Sequence, residues 1–263
     1  MSETFLDKIL QTTRERVARL RASTDVAALE AKARERRSRR PENALRTALK
    51  NEDRINIIAE IKRASPSKGV INDRIDVRET ALNYQKGGAC AISVLTEDRF
   101  FKGSIFDLET ARAAVELPIL RKDFIIDAIQ IYEAAAAGAD AILLIVAALT
   151  FEDLRDLQTS AQELGLDALI EAHTAAELET AIAAGASFIG VNNRNLHTFD
   201  VSLDVSRELI EYKPLDAVMI AESGISSRAE IEVLQRLGFD GFLVGESLMR
   251  TKTADAKLAE LVS

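Results

Sequence analysis

A carboxylate and an ammonium stand two residues apart in the stretch 57–69, IIAEIKRASPSKG. Side chains alternate along a strand, so Glu60 and Lys62 share one side of it. Their neighbours Ile57, Ile58, Ala59 and Ile61 are apolar, as in a buried strand, where charge is out of place. The chain then turns at Ala64-Ser65-Pro66-Ser67-Lys68-Gly69. A charged pair at the carboxyl end of a parallel strand, followed by such a loop, is where α/β enzymes hold their reacting groups. Taken alone, the pair reads first as a salt bridge that caps a strand, since structural ion pairs are common.

It does not stand alone. Lys122 ends a later apolar run, with Phe124 on the same side, and Glu171 ends another, two residues before His173. Further on come Asn192 and Arg194, then Glu222-Ser223-Gly224, then Gly245-Glu246. The loop 96–103 carries two aromatics, Phe100 and Phe101, and the run 141–149 has no charge and offers Leu143 as an apolar wall. Two lysines and up to three glutamates meeting at one mouth would shift one another's pKa values, which is what acid–base chemistry needs. Ser223-Gly224 and Gly245-Glu246 offer backbone N–H groups that an anion can approach closely, so a phosphate is expected there. His173 is expected beside the mouth as a structural hydrogen-bonder, and His197 on a loop surface.

Such convergence requires elements that bring strand ends together. Strand-like runs occur at 55–62, 89–96, 117–124, 141–149, 168–173, 188–194, 217–222 and 241–245, with amphipathic stretches such as 153–164, 175–184 and 228–237 between them. Gly88, Gly138, Gly185 and Gly238 fall where helices end before the next strand. The pattern predicts an α/β fold, a (β/α)8 TIM barrel, as one domain over 1–263. An open doubly wound sheet is the alternative, but no GxGxxG or GxxxxGK loop supports it. Residues 1–50 are expected to be a helical N-terminal extension. Phe5, Ile9, Val17 and Leu20 recur at helical spacing, a second helix is expected over 26–39 and a third over 43–50, after Pro41. In the second helix Lys32, Arg34, Arg36, Arg37, Arg39 and Arg40 interleave with Glu30 and Glu35, which predicts a solvated face.

Composition narrows the classes. The 263 residues are 47% hydrophobic and 29% charged, with a formal net charge of -8. That balance argues against a nucleic-acid partner, and an anionic substrate would need local positive groups. One cysteine, Cys90, excludes an internal disulfide and sits in an apolar run that marks it as core. Two histidines and one cysteine make a zinc site unexpected, so no metal is predicted. The stretch 141–149 is too short to span a bilayer, and MSETFLDKILQTTRERV lacks a signal-like apolar core. A cytoplasmic location and no membrane partner are therefore expected.

The segments AEIKRASPSKG, SVLTEDRFFKGS, ILRKDFI, LIEAH, GVNNRNL, AESGI and LVGESLMR, in this order and spacing, resemble the strand ends of indole-3-glycerol phosphate synthases. The helical extension before the first strand agrees as well. The resemblance implies a carboxy-lyase of tryptophan biosynthesis. It closes the ring of 1-(o-carboxyphenylamino)-1-deoxyribulose 5-phosphate to give indole-3-glycerol phosphate, CO2 and water, without cofactor or metal. It implies Lys122 as general acid, Glu171 as general base, and Lys62 as partner of the substrate carboxylate. Glu60 orients hydroxyls and lysines, and Asn192 and Arg194 lie beside the anthranilate end. Glu222, Ser223, Gly224, Gly245 and Glu246 match the sugar-phosphate end, Ser65 and Ser67 the loop after the first strand, and Phe101, Phe124 and Leu143 the pocket for the aromatic ring. The implied partner is a phosphorylated small molecule. The chain is expected to be a monomer with weak association, at most, with other tryptophan-pathway enzymes.

Two departures stand out. A glutamate, Glu246, follows Gly245 where serine is also associated with this position, and its side chain would repel phosphate. The segment RRPENALRTALK lacks an aromatic associated with its counterpart, which leaves open how the extension closes over the mouth. Two other functions remain to be separated. Phosphoribosylanthranilate isomerase chemistry would want a Cys/Asp pair where the first strand here offers Glu60 and Lys62. A barrel that binds the ligand without turnover would have no reason to keep buried charges.

Overall fold

The computed structural model describes residues 4–196, 198–251 and 253–263. The first strand is β1 (Ile57–Ile61), and the loop after it contains a small antiparallel hairpin, β2 (Ala64–Ser65) with β3 (Gly69–Val70). The remaining strands are β4 (Ala91–Leu95), β5 (Ile119–Lys122), β6 (Ala141–Ile145), β7 (Asp167–Ala172), β8 (Phe188–Asn192), β9 (Val218–Glu222) and β10 (Gly241–Val244). With β1 they form a closed barrel in which every neighbouring pair is parallel. The barrel shuts where Ile57 of β1 stands opposite Phe242 of β10. Each strand lies within one of the apolar runs, bar one residue where β7 starts at Asp167. The run 141–149 is cut short at Ile145, because a 3-10 turn over Val146–Ala148 follows β6.

Alternation along the strands builds two apolar layers. Ile57, Ala59, Ile92, Val94, Ile142, Leu144 and Ile170 belong to the layer shared with the surrounding helices. Ile58, Ala91, Leu120, Leu143, Leu169, Ile220 and Leu243 form a second layer that fills the barrel, and Cys90 is buried with them. Burial pushes the Cys90 thiol up to about 12. The helices are α4 (Val77–Lys86), α5 (Ile105–Ala114), α6 (Ala128–Ala137), α7 (Phe151–Glu163), α8 (Ala175–Ala183), α9 (Asp204–Leu209), α10 (Arg228–Leu237), α11 (Glu246–Met249) and α12 (Ala254–Val262), after three in the extension. Side-chain caps fix where many begin: Asp76, Ser104, Asp127, Thr150, Thr174 and Ser227 each accept a backbone N–H of the first turn.

The extension comprises α1 (Phe5–Ser23), α2 (Val26–Arg37) and α3 (Ala44–Ala48). It runs from one end of the barrel to the other. Arg16 of α1 donates to Asp123, just beyond β5, and Arg21 donates to Asp127. The α2 helix lies along α6. At the far end Leu45 and Leu49 are buried among the inward residues, and Asn56 donates to the Leu49 carbonyl. The predicted solvated face of α2 needs correction. Ala33 and Arg37, one turn apart on the helix, form its buried face. Arg37 donates to Asp140 and to the carbonyls of Leu164 and Gly165, and Arg40 also donates to Asp140. Lys32, Arg34 and Arg39 stay exposed, the latter two paired with Glu30 and Glu35. Among the described residues no helix is long and apolar enough to cross a membrane.

Candidate active site

A cavity of about 710 Å3 opens at the carboxyl ends of the strands. Every residue singled out for the site borders it: Glu60, Lys62 and Ser65; Phe101; Lys122 and Phe124; Leu143; Glu171; Asn192 and Arg194; Glu222, Ser223 and Gly224; Gly245 and Glu246. Ser67 borders it too. These side chains come from seven strand ends and from the loop after β4, and barrel closure alone brings them together.

Lys122 occupies the centre. Its Nζ lies 2.7 Å from Glu171 Oε2 and 3.0 Å from Glu222 Oε2. Beside it Lys62 donates to Glu60 at 2.5 Å. Burial would lower the Lys122 pKa, but Glu171, Glu222 and Glu60 overcome it and hold the ammonium charged. The two carboxylates flanking Lys122 diverge. Burial favours the neutral form of both. For Glu171, Lys122 and His173 reverse that preference and hold its carboxyl well below the usual range. Glu222 faces the same lysine plus the negative charges of Glu171 and Glu60, and is pushed up to about 7. Its Oε1 is buried without a hydrogen-bond partner. The apolar neighbours of Glu171 suggest a raised pKa, yet its cations win and Glu222 is the raised carboxyl.

Two glycines make room for these carboxylates. A Cβ on Gly245 would sit 2.5 Å from Glu60 Oε1, and one on Gly190 would sit 2.1 Å from Glu222 Oε1. No side chain fits either place without displacing a charged group. A single helical turn, α11, follows Gly245, and Ser247 Oγ in it is buried, without a partner, against the cavity. Ser223 and Gly224 turn the chain after β9 with φ values of 66° and 80°. Glu246 is drawn aside, with Oε1 3.1 Å from Arg250 and Oε2 3.9 Å from Arg194.

The other end of the cavity is apolar. The Phe101 and Phe124 rings lie 6.3 Å apart, tilted by 39°, with Leu143 also on the wall. The backbone N–H groups of Arg99, Phe100 and Phe101 all donate to the buried Glu97 carboxylate, which fixes the loop that carries Phe101. Arg194 donates to Ser67 Oγ at 3.1 Å and to the Phe199 carbonyl, tying two loops across the opening. Asn192 Oδ1 accepts the Arg194 backbone N–H.

The part of the extension that reaches this mouth is α1, not the RRPENALRTALK segment. Phe5, Leu6 and Ile9 line the cavity, and the Phe5 ring meets Phe100 edge-on at 4.9 Å and Phe199 at 5.2 Å. The spacing of Phe5, Ile9, Val17 and Leu20 marked α1 as a helix, but nothing in it told which end of the barrel it covers. His173 lies 3.3 Å from Glu171 Oε1 and 3.0 Å from Glu177 Oε2, so it touches a central carboxylate as well as forming a local hydrogen bond. His197 lies outside the described residues. No group of His, Cys, Asp and Glu among the described residues could hold a metal ion.

Comparison with known proteins shows the family of the chain. The family model for indole-3-glycerol phosphate synthase matches residues 6–261. An indole-3-glycerol phosphate synthase from Carboxydothermus hydrogenoformans is 45% identical, with 98% of this chain and 100% of that protein aligned. One from Desulfosudis oleivorans is 46% identical, with 98% of each chain aligned. Among solved structures, a tryptophan synthase complex chain from Pyrococcus furiosus aligns with a TM-score of 0.59 at 16% identity, over 78% of this chain and 97% of that one. The N-acetylmannosamine-6-phosphate 2-epimerase of Clostridium perfringens aligns with a TM-score of 0.57 at 16% identity, over 73% and 86%. These two likenesses concern the barrel alone. With near full-length identity above 40% and a family match over almost the whole sequence, the chain belongs to the indole-3-glycerol phosphate synthase family.

Proposed function

We propose that this mouth carries out the family's ring closure with Lys122 as general acid and Glu171 as general base. The activity itself is that of a carboxy-lyase of tryptophan biosynthesis, acting on a phosphorylated small molecule. The observation that carries the assignment of roles is the partly buried Lys122 held between two carboxylates of unlike proton affinity. In the first step the substrate's ring carbon attacks the ketone, and Lys122 protonates the oxygen as the new C–C bond forms. The C–COO bond then breaks, CO2 leaves and its electron pair restores the ring. The hydroxyl then leaves as water, protonated by a lysine ammonium of the site, while Glu171 removes the proton from the adjacent carbon and the C–C double bond of the indole forms. Lys62 holds the departing carboxylate until that step, and Phe101, Phe124 and Leu143 shield the aromatic ring from water. The phosphate lies against the backbone at Gly224 and Gly245, with Ser223 beside it, and Glu60 and Ser65 orient polar groups between the two ends. Asn192 and Arg194 face the anthranilate carboxylate.

The test is turnover of 1-(o-carboxyphenylamino)-1-deoxyribulose 5-phosphate, followed by indole fluorescence, for the wild type and Glu171→Gln. The variant keeps the shape and loses the base, so it is expected to bind product as tightly as the wild type while kcat falls ~100-fold or more. A Glu171→Gln protein with a lowered Tm and wild-type kcat would remove Glu171 from the reaction.

A further inference from the structure

Glu171 and Glu222 share one lysine, and nothing about their residue type distinguishes them. What differs is the second neighbour. Glu171 Oε1 has His173 Nε2 at 3.3 Å, an ion-pair distance without hydrogen-bond geometry, whereas Glu222 Oε1 has neither an ion-pair nor a hydrogen-bond partner. His173 is itself held from behind. Its Nδ1 lies 3.0 Å from Glu177 Oε2, and its backbone N–H donates to the same oxygen at 2.8 Å. Glu177 sits in the first turn of α8, which the Thr174 cap anchors at the end of β7. The ring is thus clamped between two carboxylates, one at the site and one nearer the surface.

Charges at the centre count as follows. Lys62 and Lys122 face Glu60, Glu171 and Glu222, which leaves one negative charge more than positive. Two outcomes restore balance: one carboxylate takes a proton, or a third cation joins. A protonated His173 is the only further cation in contact with these carboxylates among the described residues, and it reaches only Glu171. We propose that His173, clamped by Glu177, is a positioning residue that keeps Glu171 ionised and turned toward the substrate, and leaves any surplus proton to Glu222.

This rests on the reading of Glu171 as the base and deepens it. The groups facing the pair are Lys122 from β5, Glu222 from β9, Glu60 from β1 and Glu177 from α8; the adjoining strands β6 and β8 carry no titratable side chain. Burial disfavours the imidazolium, but Glu171 and Glu177 together raise the His173 pKa to about 9. The imidazolium already carries protons on both nitrogens, so it is an electrostatic and orienting partner, not a relay for the substrate's proton.

Two measurements test it, one without turnover. The sequence has two histidines, so 15N spectra of the rings are simple, and a His197→Gln sample assigns them. His173 is expected to keep the imidazolium signature at pH 7.5 and to lose it in Glu177→Gln or Glu171→Gln; a neutral ring in the wild type at pH 7.5 overturns the proposal. In kinetics, His173→Gln is expected to lose ~10-fold in kcat at pH 6 and to recover to within ~2-fold at pH 9, where Glu171 ionises unaided. KM is expected to change little, because His173 does not border the cavity. Glu177→Gln, which leaves the ring in place, is expected to shift the acid limb in the same direction by less. A merely structural His173 would lower Tm and leave the pH profile unmoved, and that result in either variant overturns the proposal. An active Glu171→Gln enzyme would instead overturn the assignment of the base and would leave the ring's protonation at pH 7.5 a separate result.

Discussion

Two clusters of buried charge sit at opposite ends of the barrel, and they are built on different rules. At the closed end Asp140 is surrounded by donors. Arg37 and Arg40 meet Oδ1; Arg40, Arg112 and the Ile119 backbone N–H meet Oδ2. At the open end Lys122 serves two carboxylates at once, and Glu222 Oε1 has no donor. Removing charge from water is costly unless its hydrogen bonds are replaced. At Asp140 they are replaced, and the cluster pins the extension to the barrel. At Lys122 they are left incomplete, and the shortfall appears as carboxylates with displaced proton affinity, ready for a substrate's polar groups. Burial and charge alone do not separate structure from chemistry; completeness of partners does.

Breaking one member of each cluster sharpens the contrast. Lys122→Met is expected to cost ~100-fold to ~10,000-fold in kcat while circular dichroism reports a folded barrel. Wild-type kcat in that variant would mean that the open cluster is structural too. Asp140→Asn leaves three arginines facing a neutral side chain and is expected to cost ~3–5 kcal/mol of stability, read from urea unfolding. Its kcat per folded molecule is expected to stay at the wild-type value, since Asp140 lies at the end of the barrel away from the cavity. A large loss of kcat with unchanged stability would reverse the comparison.

A subtler variant tests the incomplete partner set directly. Folded Glu222 keeps its proton up to about pH 7, against a value of 4.5 for an unperturbed side chain. Across that window the folded protein binds a proton that the unfolded chain has released. The stability this group contributes is therefore complete below pH 4.5 and lost as pH rises through 7, by on the order of 3 kcal/mol. Glu222→Gln cannot ionise, so its Tm is expected to match the wild type near pH 5 and exceed it increasingly toward pH 8; parallel profiles would contradict the raised carboxyl. The smallest effect concerns phosphate. Inorganic phosphate at ~100 times its Kd is expected to add ~2.7 kcal/mol of stability and to compete with substrate, and no shift in Tm at high phosphate would count against the site at Gly224 and Gly245.

The barrel was legible because its strands are short apolar runs punctuated by glycine, and because charge at the ends of such runs conflicts with their burial. Glu60, Lys62, Lys122, Glu171 and Glu222 all announced themselves by that conflict. Arg37 did not, since a guanidinium among other basic residues on a helix has the same local pattern whether it faces water or a buried Asp140 some hundred positions away. The unequal roles of Glu171 and Glu222 were equally hidden. They depend on His173 and on an oxygen left without a partner, and neither is a property of local sequence. Phe5 and Ile9 were seen as part of a helix face without a destination, for the same reason, and Leu6 was not singled out at all.

The closure of the barrel between β1 and β10 also sets an order of events for a chain made from its N-terminus. Ile57 must wait for Phe242 before the ring of hydrogen bonds is complete. The anchors of the extension, Asp123, Asp127 and Asp140, are synthesised long before that. The extension can therefore dock on a half-made barrel while the edge of β1 is still open. Contacts between residues so far apart in sequence slow folding and prolong exposure of an unpaired strand edge. A clasp that grips the middle of the chain early holds β1 near the place where its last partner will arrive.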